Sequence, residues 1–160
     1  MTDALGASVL RHVLQDVKAH GGAFTETHGH LLATLSEADL QLLQSASELV
    51  ERRTVTKVTA VPSGRVFFRI NSLNQFHQHQ HSDSFDTSME SSSGPSYYNC
   101  FDHYCSCVTF HQTTVMDPSA MCKHMVALLL ADASGKCVAM TIQDVDLPKM
   151  LGPAAPDQTY

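Results

Sequence analysis

Leu5, Val9, Val13 and Val17 recur every four positions, with Leu10 and Leu14 beside them. Residues spaced this way share one stripe of a helix, so the pattern predicts an amphipathic helix of about four turns that ends near Gly21-Gly22. A second apolar stripe, Leu40, Leu43, Ala46, Leu49 and Val50, follows Ser36-x-x-Asp39, the shorter acidic form of a capping box. Leu31, Leu32 and Leu35 lead into it as a turn or short helix. The stripes are expected to serve the chain's own core and, around Leu10 and Val13, a partner's surface as well.

The period then changes from helical to alternating. Residues 54–61 are rich in β-branched side chains, Pro62-Ser63-Gly64 is a turn signal, and Val66–Ile70 is a second β-forming run, so 54–70 reads as a β-hairpin. Between Asn71 and Ser96 the pattern disappears into Asn, Gln, His and Ser, which offer little to bury; a long mobile loop is expected there. His77, His79 and His81 alternate within it, but alternating histidines without a further donor read as polar low-complexity sequence rather than as a chelate. Order resumes with a strand at Tyr97–Phe101. After the turn at Asp117-Pro118-Ser119, Met125, Val126, Leu128, Leu129 and Leu130 continue an apolar helix to about Ala133. The fold class is therefore α+β, with N-terminal helices over 1–50, a β-hairpin or small antiparallel sheet and a final helix within 51–134, and a C-terminal segment at 135–160.

Within the last part of that pattern stand two close donor pairs, Cys105-Ser106-Cys107 and Cys122-Lys123-His124, separated by fourteen residues. Three thiolates and one imidazole saturate a tetrahedral zinc ion and leave no open position, which points to a structural metal. Cys105 and Cys107 share one side of an extended segment and need only a tight bend to reach one ion. Cys122 and His124 cannot share a helical face, because two residues rotate by about 200°. Cys122 is thus expected at or before the helix start, with His124 in the first turn; the helix N-terminus and Lys123 then place positive potential near the sulfurs. Cys100, His103 and His111 are neighbouring donors, but each would break the paired spacing. Cys100 is read as a buried small residue on its strand, His111 as a partly exposed strand residue, and Cys137 as packing. An iron–sulfur cluster draws on four thiolates, which the histidine disfavours.

A chain of 160 residues with 43% apolar content can bury a core of its own. Its formal net charge of −6 disfavours sequence-independent binding to nucleic acid over the whole surface. The basic residues are nevertheless concentrated: Arg52, Arg53, Lys57, Arg65 and Arg69 are five of the ten, and no acidic residue lies between Glu51 and Asp83. They form either a footprint for DNA or an acidic partner, or an ordinary solvated strand face. The N-terminal residues lack the pattern of a secretory signal, no run approaches a membrane span, and the odd cysteine count favours metal over disulfides; an intracellular protein is expected.

The C-x-C and C-x-H pairs, with Ala127 three residues past His124, resemble the SWIM zinc-finger family. The segments ERRTVTKVTAVPSGRVFFRI, YYNCFDHYCSC and MCKHMVALLLA resemble in particular the small SWIM subunits of Shu-type complexes. The resemblance covers about residues 45 to 133, with the His/Ser-rich insert at 72–96 longer than in those proteins. It implies a zinc-bound ββα finger held by Cys105, Cys107, Cys122 and His124, and a non-enzymatic nuclear role in homologous recombination. It also implies a RecA-like recombinase paralogue as partner, with single-stranded DNA engaged by the complex. This chain has no G-x-x-x-x-G-K-[ST] phosphate loop, so ATP hydrolysis would belong to the partner. Three other classes are weighed: a stand-alone zinc-dependent nucleic-acid-binding module, a ubiquitin-ligase or transposase accessory module, and a hydrolase or thiol enzyme using His103 or His111 beside Cys100. The saturated ligand set and the lack of a carboxylate dyad count against the last.

Overall fold

The computed structural model describes residues 2, 4–71 and 97–152; the 72–96 insert with His77, His79 and His81 lies outside the described residues. Three helices come first: α1 (Ala4–Ala19), α2 (Glu26–Leu32) and α3 (Glu37–Glu51). The buried stripe of α1 is Gly6, Ala7, Leu10, Val13, Leu14 and Val17. Leu5, expected in that stripe, is exposed, because it sits about 140° round the helix from Leu10. Leu40 on α3 is likewise exposed, about 120° round from Ala46. Leu10 and Val13 are fully buried inside this chain, so the expected partner surface at those two positions is core instead.

The starts of α2 and α3 are set by side chains. At Ser36 the hydroxyl accepts the Asp39 N–H at 3.1 Å and donates to Asp39 Oδ2 at 2.7 Å, so the acid binds the capping hydroxyl rather than reaching back to the backbone. The Asp39 carboxyl is buried against the first turn of α1, where an acidic group is favourable; its Oδ1 has no hydrogen-bond partner among the described residues. At Thr25 the box is closed by a histidine: His28 Nδ1 accepts the Thr25 N–H at 3.0 Å. That bond leaves the ring proton on Nε2, which donates to Asp16 Oδ2 at 2.7 Å and ties α2 to α1. The same bond holds the Asp16 carboxyl below its ordinary range.

Strands β1 (Val55–Val61) and β2 (Val66–Asn71) form the expected hairpin. β3 (Tyr97–Phe101) pairs antiparallel with β2, and the two-residue β4 (Tyr104–Cys105) with β3. Two further helices follow, α4 (Val108–Thr114) and α5 (Lys123–Ala133). Gly135, at φ 68°, closes α5 with the Lys136 N–H on the Ala131 carbonyl at 2.9 Å and turns the chain back to the sheet. The C-terminal segment is structured: β5 (Val138–Gln143) runs parallel to β1, and a 3₁₀ turn (Asp144–Asp146) leads into α6 (Leu147–Leu151). The result is a mixed five-stranded sheet in the order β4-β3-β2-β1-β5, within an α+β fold.

The pairing register separates two layers. Val55, Phe68, Ile70, Cys100 and Cys105 share a core with Leu10, Leu49, Val50 and most of α5. On the other face Val58, Ala60 and Phe67 are covered by Leu147, with Ile142 and Met150 beside them. Helix α5 buries Met125, Val126, Ala127, Leu128 and Ala131 and is apolar on nearly all sides, as a helix enclosed by α1, α3 and the sheet must be. Its one acid, Asp132, accepts Lys18 Nζ at 2.6 Å and Lys57 Nζ at 2.7 Å. Burial alone would raise this carboxyl, but the two ammonium groups outweigh it and hold it below its ordinary range.

Two outcomes test this packing. A Cβ at Gly6 would lie 2.6 Å from Asp39 Cγ, so Gly6→Ala should lower stability in urea unfolding by about 1–3 kcal/mol, as overpacking does. Asp132→Asn should cost about 1–2 kcal/mol at pH 7. Because the folded pKa is depressed, the Asp132 contribution is present above the unfolded value and is lost as pH falls through the folded one. The wild-type advantage in unfolding free energy should therefore shrink as pH falls below the ordinary carboxylate value of about 3.9, and vanish once pH is below the depressed folded one.

Candidate metal centre

Cys105 ends β4, and a single exposed residue, Ser106, separates it from Cys107 at the start of α4. Ser106 makes the bend by pairing back to β3: its N–H donates to the Asn99 carbonyl at 3.0 Å and its Oγ accepts the Asn99 N–H at the same distance. Cys107 is the N-cap of α4, and its Sγ accepts the Phe110 N–H at 3.3 Å, the bond that a serine or aspartate makes at this position. Cys122 is the N-cap of α5, in extended conformation, and His124 follows in the first turn. Two of the four donors thus sit at helix N-termini, where the ends of α4 and α5 favour negative charge on sulfur.

The fold brings Cys105, Cys107, Cys122 and His124 together, all four buried, with their donor atoms within 4.8 Å of one another. His124 presents Nδ1 to the sulfurs, 3.8 Å from Cys105 Sγ and 4.0 Å from Cys122 Sγ. A tetrahedron with zinc–sulfur bonds near 2.3 Å has edges of about 3.5–3.8 Å, so these separations need little contraction around an ion. The His124 ring lies against Tyr98 at 4.3 Å between centroids, which fixes its orientation. Burial, with the charges of Cys107 and Cys105, pushes the Tyr98 phenol up. Beside Cys107, Cys122 and His124 a recess of 190 Å³ bounded by Leu42, Thr109 and Lys123 leads to solvent. Three sulfurs and one imidazole fit zinc, and the ion would be held without an open position. Ala127 lies one turn beyond His124, fully buried in the core.

The sulfurs are not equivalent. Cys107 faces the sulfurs of Cys105 and Cys122, accepts the Phe110 N–H, and is driven far below an ordinary thiol. Cys105, against Cys100 and then Cys107, is driven up; Cys122, facing Cys105 and Cys107, is driven up as well.

The remaining predicted donors are elsewhere. His111 lies on α4 rather than on a strand, because the chain after Cys107 turns into a helix capped by that cysteine. It is exposed and makes edge contacts with Tyr104 and Phe110. His103 is exposed in the β3–β4 turn, and neither ring bonds to Cys100 among the described residues. Cys137 is half-buried, its thiol pushed up to about 11 by burial. Cys100 is fully buried on β3, as expected, but its Sγ lies 3.3 Å from Cys105 Sγ, a neighbour that spacing alone did not reveal.

The five basic residues do not gather on one face. Lys57 points to the helical layer and is bound to Asp132. Arg69 points to the opposite face, where it donates to the Met150 carbonyl at 2.8 Å and stacks 3.9 Å over Tyr97. Arg52, Arg53 and Arg65 are exposed and form no ion pair among the described residues.

Thiols with ordinary values of about 8.5 must lose their protons to bind zinc, so affinity should rise with pH between roughly pH 5.5 and 8, by about tenfold per unit for each proton displaced. Competition with a chromogenic chelator across that range measures the slope; a flat profile would refute thiolate ligation.

No family model matches the chain, and no solved structure matches it. It is 28% identical over 147 residues to zinc finger SWIM domain-containing protein 7 of Danio rerio, covering 90% of this chain and 90% of that one. This likeness and the gathered Cys/His cluster together support a zinc-binding protein of the SWIM zinc-finger type.

Proposed function

We propose that this chain is a non-enzymatic, nuclear subunit of a Shu-type complex. In that role it pairs with a RecA-like recombinase paralogue and promotes recombinase filament assembly or stability on single-stranded DNA. The observation that carries the reading is the extent of the likeness: it covers nine-tenths of both chains, and so takes in the N-terminal helices and the sheet as well as the finger. A finger borrowed by a larger ligase or transposase would match over the finger alone. The metal ligands are buried and at full complement for zinc, which suits an ion that organises a surface rather than one that turns over substrate. The separation of Lys57 from Arg69 argues against a single basic footprint, so DNA contact falls to the complex. Loss of the ion removes on the order of 10 kcal/mol of folding free energy and with it the partner-binding surface.

Capture of the tagged chain from its native cells, beside Cys107→Ser, tests this. Wild type should recover a RecA-like ATPase subunit together with about one zinc per chain, and the variant should lose both. Zinc-loaded wild type that recovers no such ATPase would sink the reading.

A further inference from the structure

The metal centre contains a fifth sulfur that the ligand set does not use. Cys100 Sγ lies 3.3 Å from Cys105 Sγ, and both side chains are fully buried. The two residues are direct partners across β3 and β4. Residues directly opposite in an antiparallel pair have Cα atoms about 4.5–5.5 Å apart, inside the about 4.4–6.8 Å span of disulfides. Both side chains leave the same face of the sheet and their sulfurs already touch, so a bond near 2.05 Å asks for about 1.3 Å of approach and no change of register. Cys100 stands outside the group of mutually close donors, so it would not contribute a fifth ligand to the same ion.

We propose that Cys100 and Cys105 form an oxidative modification site, at which hydrogen peroxide converts the pair to a disulfide and removes Cys105 from the metal. One sulfur is oxidised to a sulfenic acid by the peroxide, which leaves as water. The other attacks that sulfur and displaces the hydroxyl as a second water. For the metal-free pair two S–H bonds and one O–O bond break, one S–S bond and two O–H bonds form, and two electrons pass from the thiols to the peroxide; in the zinc-loaded chain the bond from Cys105 to the ion breaks in place of one S–H, and hydroxide leaves in place of one water. Both sulfurs are fully buried, so a bulky oxidant such as glutathione disulfide is excluded and the reaction requires a small neutral one. Cys105 can serve the ion or the disulfide but not both, so oxidation and metal loading exclude each other. The inference rests on the cysteine geometry and is independent of the recombination partner.

The full chain, zinc-loaded and chelator-stripped, is treated with hydrogen peroxide, digested without reduction and mapped by mass spectrometry, while a chromogenic chelator follows zinc release. The expected product is the peptide joining Cys100 to Cys105 with the loss of two hydrogens, in step with zinc release and reversed by dithiothreitol. Cys100→Ala should load zinc as wild type does, lose that peptide and release zinc more slowly under peroxide. Mapping of wild type alone decides the matter if the variant misfolds. Linkages confined to Cys107 and Cys122, or peroxide-driven zinc release without the Cys100–Cys105 peptide, would overturn the proposal.

Discussion

Helix α5 has almost no polar face, and the rest of the chain is arranged to cover it. Met125, Val126, Ala127, Leu128 and Ala131 point in several directions from one helix, and each must be removed from water. Helices α1 and α3 close two sides and the sheet closes the third. The polar groups that remain on α5 are placed at its ends: Cys122 and His124 at the start, Asp132 near the finish. A metal at one end and a double lysine bridge at the other thus pin a helix whose middle is held by apolar contact alone.

This arrangement explains why the metal matters beyond its own ligands. Cys105 closes β4, Cys107 opens α4 and Cys122 opens α5. An ion held by them joins the outermost strand of the sheet to two helix starts. Without it, a two-residue strand and a seven-residue helix have little apolar contact to hold them. The helix N-termini lower the cost of negative sulfur, yet three adjacent thiolates repel one another. Cys107 is accordingly driven below an ordinary thiol, while Cys105 and Cys122 are driven above it.

Local signals carried much of this into the sequence. The stripe of α1, the serine cap of α3, the Pro62-Ser63-Gly64 turn and the two chelating pairs are all decided by neighbours within a few residues, and each was legible. Leu5 and Leu40 stand at the ends of their stripes, where a strict step of four residues in the first and three in the second has drifted round a helix of about 3.6 residues per turn. The Thr25-x-x-His28 box was readable in principle, because a histidine nitrogen accepts a hydrogen bond as a carboxylate does. The alternation of Val138, Met140 and Ile142 could have signalled β5, but an edge strand exposed along most of its length has only a weak hydrophobic pattern.

By itself the sequence determined α1, α3 and α5, the hairpin, the α+β class and the four donors poised for one ion, because propensity, capping and chelate spacing act over short stretches of chain. Only the tertiary structure decided what long-range register controls. Pairing placed β5 parallel to β1, sent Lys57 and Arg69 to opposite faces, and set Cys100 against Cys105. It also carried Lys18, from α1, and Lys57, from β1, to the same carboxylate on α5. Those outcomes depend on which strand lies beside which and on the alternation of side chains across a sheet, and neither is written in any local run of residues.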